Sequence, residues 1–561
     1  DVRYLTKHSC TASAAAILNL FRHQMAIDEK TPLVVTGDKE DVPEPFDLSF
    51  GMVPWLQDLS DKVGYKLLTI LFVVEHVMRG FVDAAQRQGT NFIFKTYSVP
   101  APTISIYGGV IGLPWALKPL IGLVSDIMPI GGYAKMPYMI MSSMVGAFSY
   151  FAVGYMPRAV LPISLVVMCF FGMALQLSTC DILAEAKYAE KIRQVPAYGP
   201  HILSYVWFGM NVGDLIGTGV GGILIAKFWA KVPYAVCLFP AVIVMYPIWM
   251  NYLEESPVSS EQLKAIRERF YKQKEACFLC IVMAASCGAI TFVGLTESDP
   301  TINCIVAGIM FVVILLSFSI MLSPIIAAFN AWSFIQASCS VSTGSAAFYF
   351  MTDTEKQYPE GPHFSTFFYT TVLGTVVSIF SLLGIISYQK YASTWRYRNM
   401  LVIINVVLGL FNMLDMIFYS RLNVKWGIPD HAFVLGTSVF GNVLGQWQWM
   451  PQVIILSYLC PKGMEATMYA LLAGCHNLGN VVAANFSALL LESYDVKPNG
   501  SAGESAQFDN LWRASFVSSV LPIIPVLLLY KLVPDVKQGD TLIDPDGDAT
   551  TGSLLNKWLG N

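Results

Sequence analysis

Four ionisable residues lie within the first long apolar run of the chain. The run reads LLTILFVVEHVMRGFVD from Leu67 to Asp83, and it contains Glu75, His76, Arg79 and Asp83. A charge at mid-bilayer costs at least about 2.5–3.5 kcal/mol, so such residues usually face a cavity and pair with one another. Because Glu75, Arg79 and Asp83 are spaced four apart, Arg79 could bridge both carboxylates on one helix face. We expect this face to line a polar pathway; a structural ion-pair ladder between helices is the alternative.

The composition around these residues is that of a protein that crosses a membrane many times. Of its 561 residues, 55% are hydrophobic and only 13% are charged, whereas soluble domains are roughly 25% charged. Apolar windows of about 20 residues recur along the chain, and each is long enough to cross about 30 Å of hydrocarbon as a helix. The formal net charge of −4 provides no basic field for nucleic acid. An all-α polytopic membrane protein is therefore predicted.

Fourteen segments are predicted to be transmembrane helices. They span residues 65–84, 101–124, 137–155, 160–184, 202–228, 233–253, 276–295, 302–328, 332–351, 364–388, 400–419, 433–458, 466–491 and 511–532. Six predicted domains follow: an N-terminal tail 1–62, a six-helix bundle 63–253, a linker 254–275, two inserted helices 276–328, a second six-helix bundle 329–533 and a C-terminal tail 534–561. Both tails are expected to be solvated.

The distribution of basic residues predicts the orientation of these helices. Loops that follow even-numbered helices contain thirteen Lys or Arg, the opposite loops contain eight, and the two tails add eight to the first side. Because positive charge favours the cytoplasm, both termini are predicted to be cytoplasmic. The glycosylation sequon Asn499-Gly500-Ser501 lies in the last odd-numbered loop, which this topology places outside.

Two short passages recur at nearly constant separation. LIGLVSD at 120–126 matches LLGIISY at 382–388, and NVGDLIG at 211–217 matches NLGNVVA at 477–483. The two repeats link helix 2 to helix 10 and helix 5 to helix 13, which predicts two parallel halves related by an axis along the membrane normal. Such halves are typical of an alternating-access transporter. Chance similarity between apolar heptamers is the alternative.

Two other features are predicted to be structural. The chain has eleven cysteines, mostly within apolar runs, and Cys277 and Cys280 form a C-x-x-C without nearby His ligands, so packing is favoured over metal or redox chemistry. The basic stretch from Leu263 to Lys274 is amphipathic. We expect it to form a helix on the cytoplasmic membrane surface, in contact with anionic lipid; a solvated linker is the alternative.

Two longer passages resemble signatures of a known family. ALKPLIGLVSDIMPIGGYAKMPY, from Ala116 to Tyr138, and PKGMEATMYALLAGCHNLGN, from Pro461 to Asn480, are similar to the folate-biopterin transporter family of the major facilitator superfamily, in particular its kinetoplastid-type branch. The resemblance covers about residues 63–532. It implies a major facilitator fold of two six-helix bundles, here with two inserted helices, that carries pteridines across the plasma membrane.

The resemblance also implies a gate between helices 2 and 3. The superfamily pattern of a Gly, an Asp four residues later and then basic residues maps to Gly122, Asp126 and Lys135. Many family members have two or three arginines where this chain has only Lys135. Physically, Gly122 would permit close helix approach, and Asp126 would take a hydrogen-bond donor in one conformation only.

Pteridine chemistry selects the candidate substrate-binding residues. The ring N–H and the amine of a pterin match a carboxylate, its flat ring matches an aromatic face, and the glutamate tail of folate matches a cation. The candidates are Glu75, Arg79, Lys118, Asp181, Trp332, Tyr349, Gln446 and Trp449. Asp214 is an alternative carboxylate, and Trp447 is a less favoured aromatic because Trp449 shares a helix face with Gln446.

Proton symport is predicted, with Glu185, Asp214, His476 and Asp415 as candidate proton carriers. No catalytic motif, cofactor or metal set is found, so an enzyme is not predicted, and a monomer in lipid is expected. Transport of another metabolite such as S-adenosylmethionine is the main alternative. A receptor, a membrane enzyme and an ion channel are remote alternatives.

Overall fold

The computed structural model describes residues 52–272, 274–460, 465–538, 540, 542 and 549–559. Regular structure in this part of the chain is helical, and fourteen long helices dominate it. They are α1 (65–96), α2 (Ala101–Ile127), α3 (Met136–Tyr155), α4 (Ile163–Gln194), α5 (Gly199–Lys227), α6 (Val232–Trp249), α7 (Lys274–Thr296), α8 (Pro300–Met321), α9 (Pro324–Thr352), α10 (Phe368–Tyr391), α11 (Tyr397–Tyr419), α12 (Asp430–Tyr458), α13 (Glu465–Ser493) and α14 (Ser505–Leu532).

Eleven of these helices, α2–α11 and α14, are long and apolar enough to span a membrane. The all-α polytopic fold is therefore confirmed. Helices α1, α12 and α13 lie at predicted positions but carry more polar residues, and the full count of fourteen spans stays a prediction. Helix α1 runs to Thr96, beyond the predicted end at residue 84, because the polar residues of its last turns find partners inside the bundle.

The helices form two six-helix bundles, α1–α6 and α9–α14. The bundles meet along two helix pairs: α2 packs against α13, and α5 packs against α10. The inserted helices α7 and α8 pack along α2 and α13. The predicted repeat has a structural counterpart, because Ser125 donates to the Gly122 carbonyl at 2.8 Å and Ser387 donates to the Gly384 carbonyl at 2.9 Å. Helix α1 begins and α14 ends on one side, called the terminus side; the opposite side is called the far side.

Three segments on the terminus side pack against the bundles. The end of the predicted solvated N-terminal tail is a helix, Met52–Val63, which buries Leu59; residues 1–51 lie outside the described part. In the linker helix Ser260–Lys272, Phe270 is 5% exposed. At this residue the apolar side of the helix packs on the rest of the protein, and its predicted contact with anionic lipid stays a prediction. The C-terminal tail also docks, since the Ser323 N–H donates to the Ala549 carbonyl at 2.8 Å.

Gly213, Gly217 and Gly221 are spaced four apart on one face of α5, a pattern that favours close approach of a neighbouring helix, and α1 packs on this face. A Cβ at Gly217 would lie 2.9 Å from the Phe81 Cα, and a Cβ at Gly221 would lie 2.8 Å from the Ala85 Cα. These are backbone atoms, so nothing flexible can move aside. The close approach fixes the face of α1 that is turned towards the interior of the first bundle.

We expect Gly217→Ala to lower the free energy of unfolding by about 1–3 kcal/mol, because the added methyl group overpacks the α1–α5 contact. The matched control is Gly219→Ala, where a Cβ would meet no atom within 4 Å. The midpoint of thermal unfolding of the purified variants measures the difference. Equal midpoints for the two variants would contradict the close approach.

Candidate functional site

A continuous series of opposite charges crosses the interior of the first bundle. We call it the charge ladder, and its members, in order of contact, are Glu185, Lys118, Asp181, Arg79, Asp83, Arg87 and Asp214. They come from four helices: α1, α2, α4 and α5. Paired in this way, side chains that are costly in an apolar environment stabilise one another.

One end of the ladder is centred on Lys118. Its ammonium group contacts Asp181 and lies 3.7 Å from the Glu185 carboxylate. Helix α2 is interrupted at Leu117, and Pro119 begins the segment that follows. Because proline has no N–H to donate, it fits the start of a helical segment. The interruption therefore belongs to the stretch that presents Lys118 to α4.

The centre of the ladder is Arg79. Its guanidinium donates to Asp83 at 3.1 Å, and its Nε lies 3.8 Å from Asp181. The guanidinium carbon also lies 4.2 Å from the ring centroid of Trp115, which is a cation–π contact. Arg79 therefore joins α1, α2 and α4, and about a third of its side chain, 31%, is exposed.

Glu75 differs from its predicted role. It is 2% exposed, it faces Asp181, and its Oε1 has no hydrogen-bond partner among the described residues. The predicted bridge from Arg79 to both Glu75 and Asp83 forms only on the Asp83 side. The reason is that residues 72–82 form a π-helix, in which hydrogen bonds join i to i+5, so residues four apart no longer align as they do in an α-helix.

The other end of the ladder reaches α5 through Arg87. Its guanidinium contacts Asp214, and its Nε lies 3.7 Å from Asp83. Gln86 supports Asp83 by donating to it at 3.1 Å, and Tyr150 in turn donates to Gln86 at 2.6 Å. With 57% of its side chain exposed, Arg87 is the most accessible cation of the ladder.

The ladder also touches the second bundle. Asp214 accepts a hydrogen bond of 3.1 Å from the hydroxyl of Ser378 on α10. We call the contact between α5 and α10 the seam. Further along it, Thr370 donates to the Gly222 carbonyl at 3.3 Å. Asp214 thus links the two bundles as well as closing the ladder, and both of its carboxylate oxygens have partners.

The second bundle places another set of polar candidates together. His476 Nδ1 lies 2.9 Å from the Ser333 hydroxyl, and its ring centroid is 5.2 Å from that of Trp449. Trp449 is 41% exposed, so it remains available to a ligand. Gln446 lies beside Gly384, at the contact of α12 with α10.

Three predicted residues lie apart from both polar clusters. Trp332 is fully buried and donates to the Pro525 carbonyl, so it packs α9 against α14 instead of facing a substrate. Tyr349 is also fully buried and donates to the Val99 carbonyl at 2.7 Å, on the far side. Asp415 lies on α11, which packs on the outer helix α14. Burial of the large aromatic rings explains why Trp332 and Tyr349 pack inside the protein in this structure.

The predicted gate on the terminus side has a different construction. A Cβ at Gly122 would meet no atom within 4 Å, so Gly122 does not mark a close helix approach. Lys135 contributes its backbone N–H, which donates to Glu255 at 2.9 Å. Glu255 also accepts from the Ala134 and Met136 amides and so stabilises the N-terminus of α3. Asp126 ends α2 at this loop.

The far side carries a buried ion pair between the bundles. Lys95 of α1 lies 2.7 Å from Asp353 at the end of α9, and the Asp353 side chain is fully buried. Glu504, just before α14, lies beside Asp353 and accepts the Asn499 and Gly500 amides at 2.9 and 2.8 Å. Burial, followed by the contact with Asp353, raises the pKa of Glu504 to about 7. We call Lys95, Asp353 and Glu504 the far-side lock.

Several of these residues were not predicted from the sequence. Arg87 falls in a predicted loop, Trp115 looks like an ordinary apolar residue, and Ser378 and Glu504 have no distinguishing neighbours in the sequence. For Arg87 the sequence does contain a signal: Asp83 and Arg87 continue the spacing of four residues that begins at Glu75.

The BT1 family matches residues 79–551 of the chain. A probable folate-biopterin transporter 6 of Arabidopsis thaliana is 24% identical over 88% of this chain and 87% of the relative. The folate-biopterin transporter of Synechocystis sp. is 25% identical over 89% and 92%. Folate transporter 1 of Plasmodium falciparum is 22% identical over 80% and 75%.

Solved transporters share the fold. A peptide transporter POT in complex with sulfate has a TM-score of 0.57 and 13% identity, covering 85% of this chain and 99% of that one. A D-xylose-proton symporter has a TM-score of 0.53 and 14% identity, covering 87% and 100%. These likenesses confirm the major facilitator arrangement of two six-helix bundles.

Proposed function

This chain belongs to the BT1 family, and on that premise we propose that it carries a pteridine, folate or biopterin, across a membrane by alternating access. The chain is a membrane transporter and not an enzyme. The observation that carries the choice of substrate is the charge ladder, which offers carboxylates, cations and the face of Trp115 in one place. A pteridine with an acidic tail needs all three kinds of group.

Exposure distinguishes the ladder residues that could touch the substrate from those that could not. Arg79, Arg87 and Asp214 have side chains that are 31%, 57% and 33% exposed. Glu75 is buried and faces a second carboxyl group, that of Asp181. Two carboxyl groups that face each other in a buried site cannot both be charged without strong repulsion, so a proton on one of them stabilises the pair. We therefore assign substrate contact to the first three residues and to Glu185, whose side chain is 37% exposed, and we assign proton binding to Glu75.

Contacts between the bundles support a state that is closed on the far side. The far-side lock and the α5–α10 seam both join the bundles there. With the terminus side in the cytoplasm, as the basic loops predict, this is an inward-facing state. We further propose a monomer in the plasma membrane.

The test of this proposal is binding and transport by the purified protein. In proteoliposomes we expect saturable uptake of folate or biopterin that falls when the pH gradient is collapsed. Binding of S-adenosylmethionine instead would favour the alternative substrate, for which the surplus of carboxylates in the ladder is the supporting observation. Transport of none of the three compounds would refute the proposed substrate class.

Glu75→Gln tests the proton site. We expect the variant to exchange substrate across the membrane and to lose accumulation driven by a pH gradient, because an amide cannot release a proton. The control is Glu190→Gln, which removes a carboxylate paired with Lys187 outside the ladder. Gradient-driven accumulation that survives in Glu75→Gln would assign proton coupling elsewhere.

A further inference from the structure

Building on the proposed function, we propose that Arg87, Asp214 and Ser378 form a latch between the two bundles that an anionic group of the substrate opens. The three residues come from α1, α5 and α10, and Asp214 is the shared acceptor. It contacts the Arg87 guanidinium through one oxygen and accepts the Ser378 hydroxyl through the other, at 3.1 Å. We call this set the latch.

The position of the latch makes it a link between ladder and seam. Contacts between α5 and α10 recur every four residues: Gly222 meets Thr370, the Thr218 methyl group lies 2.8 Å from where a Cβ at Gly374 would be, and Asp214 meets Ser378. The contact between Asp214 and Ser378 belongs to the seam, and Asp214 is also a member of the charge ladder. A change at Asp214 therefore acts directly on the contact between the bundles.

The accessibility of the latch favours a ligand as its trigger. Arg87 has 57% of its side chain exposed, compared with 31% for Arg79 and 19% for Lys118. An incoming carboxylate reaches this guanidinium first and can take the two-pronged geometry that arginine offers to carboxylates. It then competes with Asp214 for the same N–H donors.

The competition has a mechanical consequence. When Arg87 turns to the ligand, Asp214 loses its charged partner, and its hydrogen bond to Ser378 is left without the fixed geometry that Arg87 supplies. Hydrogen bonds to charged groups are among the stronger ones in proteins. Weakening this bond loosens α5 from α10 and lowers the barrier to rearrangement of the bundles.

The two candidate substrates test the charge recognition. Folate carries a glutamate tail with two carboxylates, and biopterin carries neutral hydroxyl groups. We expect Arg87→Gln to lower the folate-to-biopterin ratio of kcat/KM at least tenfold, because effects on folding and on the seam cancel in the ratio. An unchanged ratio would mean that Arg87 is only a structural partner of Asp214 and would overturn the proposed trigger.

Ser378→Ala tests the mechanical part, with Ser381→Ala as the matched control. Ser381 lies one turn further along α10 and contacts Asn442 within its own bundle. Spin labels at positions 229 and 367, exposed at the far ends of α5 and α10, report the distance between the bundles. We expect Ser378→Ala to raise the far-side-open population several-fold and Ser381→Ala to leave it unchanged.

The distance measurement needs no substrate, which separates the two proposals. If wild-type protein transports neither folate nor biopterin, the proposed function fails, while a shift in Ser378→Ala still supports the contact between the bundles. If Ser378→Ala and Ser381→Ala give the same distance distribution, the latch does not exist, whatever the substrate is.

Discussion

Replacing Arg79 by Gln is expected to reduce substrate uptake on the order of 100-fold per folded molecule. Arg79 contacts Asp83 at 3.1 Å, Asp181 at 3.8 Å and the ring of Trp115 at 4.2 Å. Hydrogen bonds to charged groups contribute about 1.5–3 kcal/mol each. Because 31% of the Arg79 side chain is exposed, solvent screening reduces the combined contribution of its contacts to about 3 kcal/mol.

The loss of uptake is large because the substitution leaves neighbouring carboxylates unpaired. Without Arg79, the carboxylates of Asp83 and Asp181 lose a shared cation in a poorly solvated interior, where unpaired charge is costly. The substrate then meets uncompensated negative charge where it needs a cation. Arg79→Lys keeps the charge but loses the planar fork, so we expect it to restore only part of the uptake.

A second arginine provides a control for the general effect of losing an ion pair on folding. Arg421 donates to both oxygens of Asp430, at 2.7 and 2.9 Å, within the second bundle and outside the ladder. Arg421→Gln is expected to lower the yield of folded protein while the folded fraction keeps its uptake rate. Uptake is normalised to the monodisperse protein recovered by size-exclusion chromatography. A loss per folded molecule that is the same in both variants would remove Arg79 from the transport pathway.

Much of the fold follows from the sequence because it depends on apolar segments of membrane length and on an internal repeat. Apolar windows of membrane length predict the helices, and the duplicated passages around Gly122 and Gly384 predict the two bundles. The spacing of Gly213, Gly217 and Gly221 favours close approach of a neighbouring backbone to α5, and the structure shows that this neighbour is α1. These features depend on residues near each other in sequence, or on a repeat.

The site was harder to predict because its contacts join distant segments. The spacing of Glu75, Arg79 and Asp83 correctly indicates a polar face, but the π-helix at 72–82 changes which of them meet. No local sequence pattern predicts this π-helix. Trp332 has the residue type of a ligand-stacking group, yet burial between two helices uses its N–H for packing. Tertiary packing decides such cases.

The far-side lock leads to the second prediction, in which acid stabilises the far-side-closed state. In that state the pKa of Glu504 is raised from 4.5 to about 7, first by burial and then by the neighbouring carboxyl group of Asp353. Asp353 Oδ2 has no donor among the described residues, which fits a protonated Glu504 as its donor. The other titratable groups near this pair are Lys95, Tyr349 and His363, whose Nδ1 lies 2.8 Å from the Asp353 carbonyl oxygen.

The sign follows from linkage between proton binding and conformation. A carboxyl group whose pKa is higher in the closed state binds its proton more tightly there, so protonation favours closure. The stabilisation is fully present below about pH 4.5 and is lost as the pH rises through about 7. With Glu504 solvated in the open state, lowering the pH from about 7.5 to about 5.5 raises the closed-to-open ratio roughly 20-fold.

Glu504→Gln removes this dependence because the amide imitates the protonated acid at every pH. We expect the variant to favour closure at both pH values, whereas Glu360→Gln, a carboxylate that accepts from Ser505 nearby, keeps the wild-type response. Spin-label distances at positions 229 and 367 measure the ratio. A wild-type ratio that is flat between the two pH values, or a Glu504→Gln variant that still responds, would place the acid-sensitive group outside the lock. Because Lys95 and Asp353 belong to different bundles, a proton at Glu504 acts on the same interface that substrate must open.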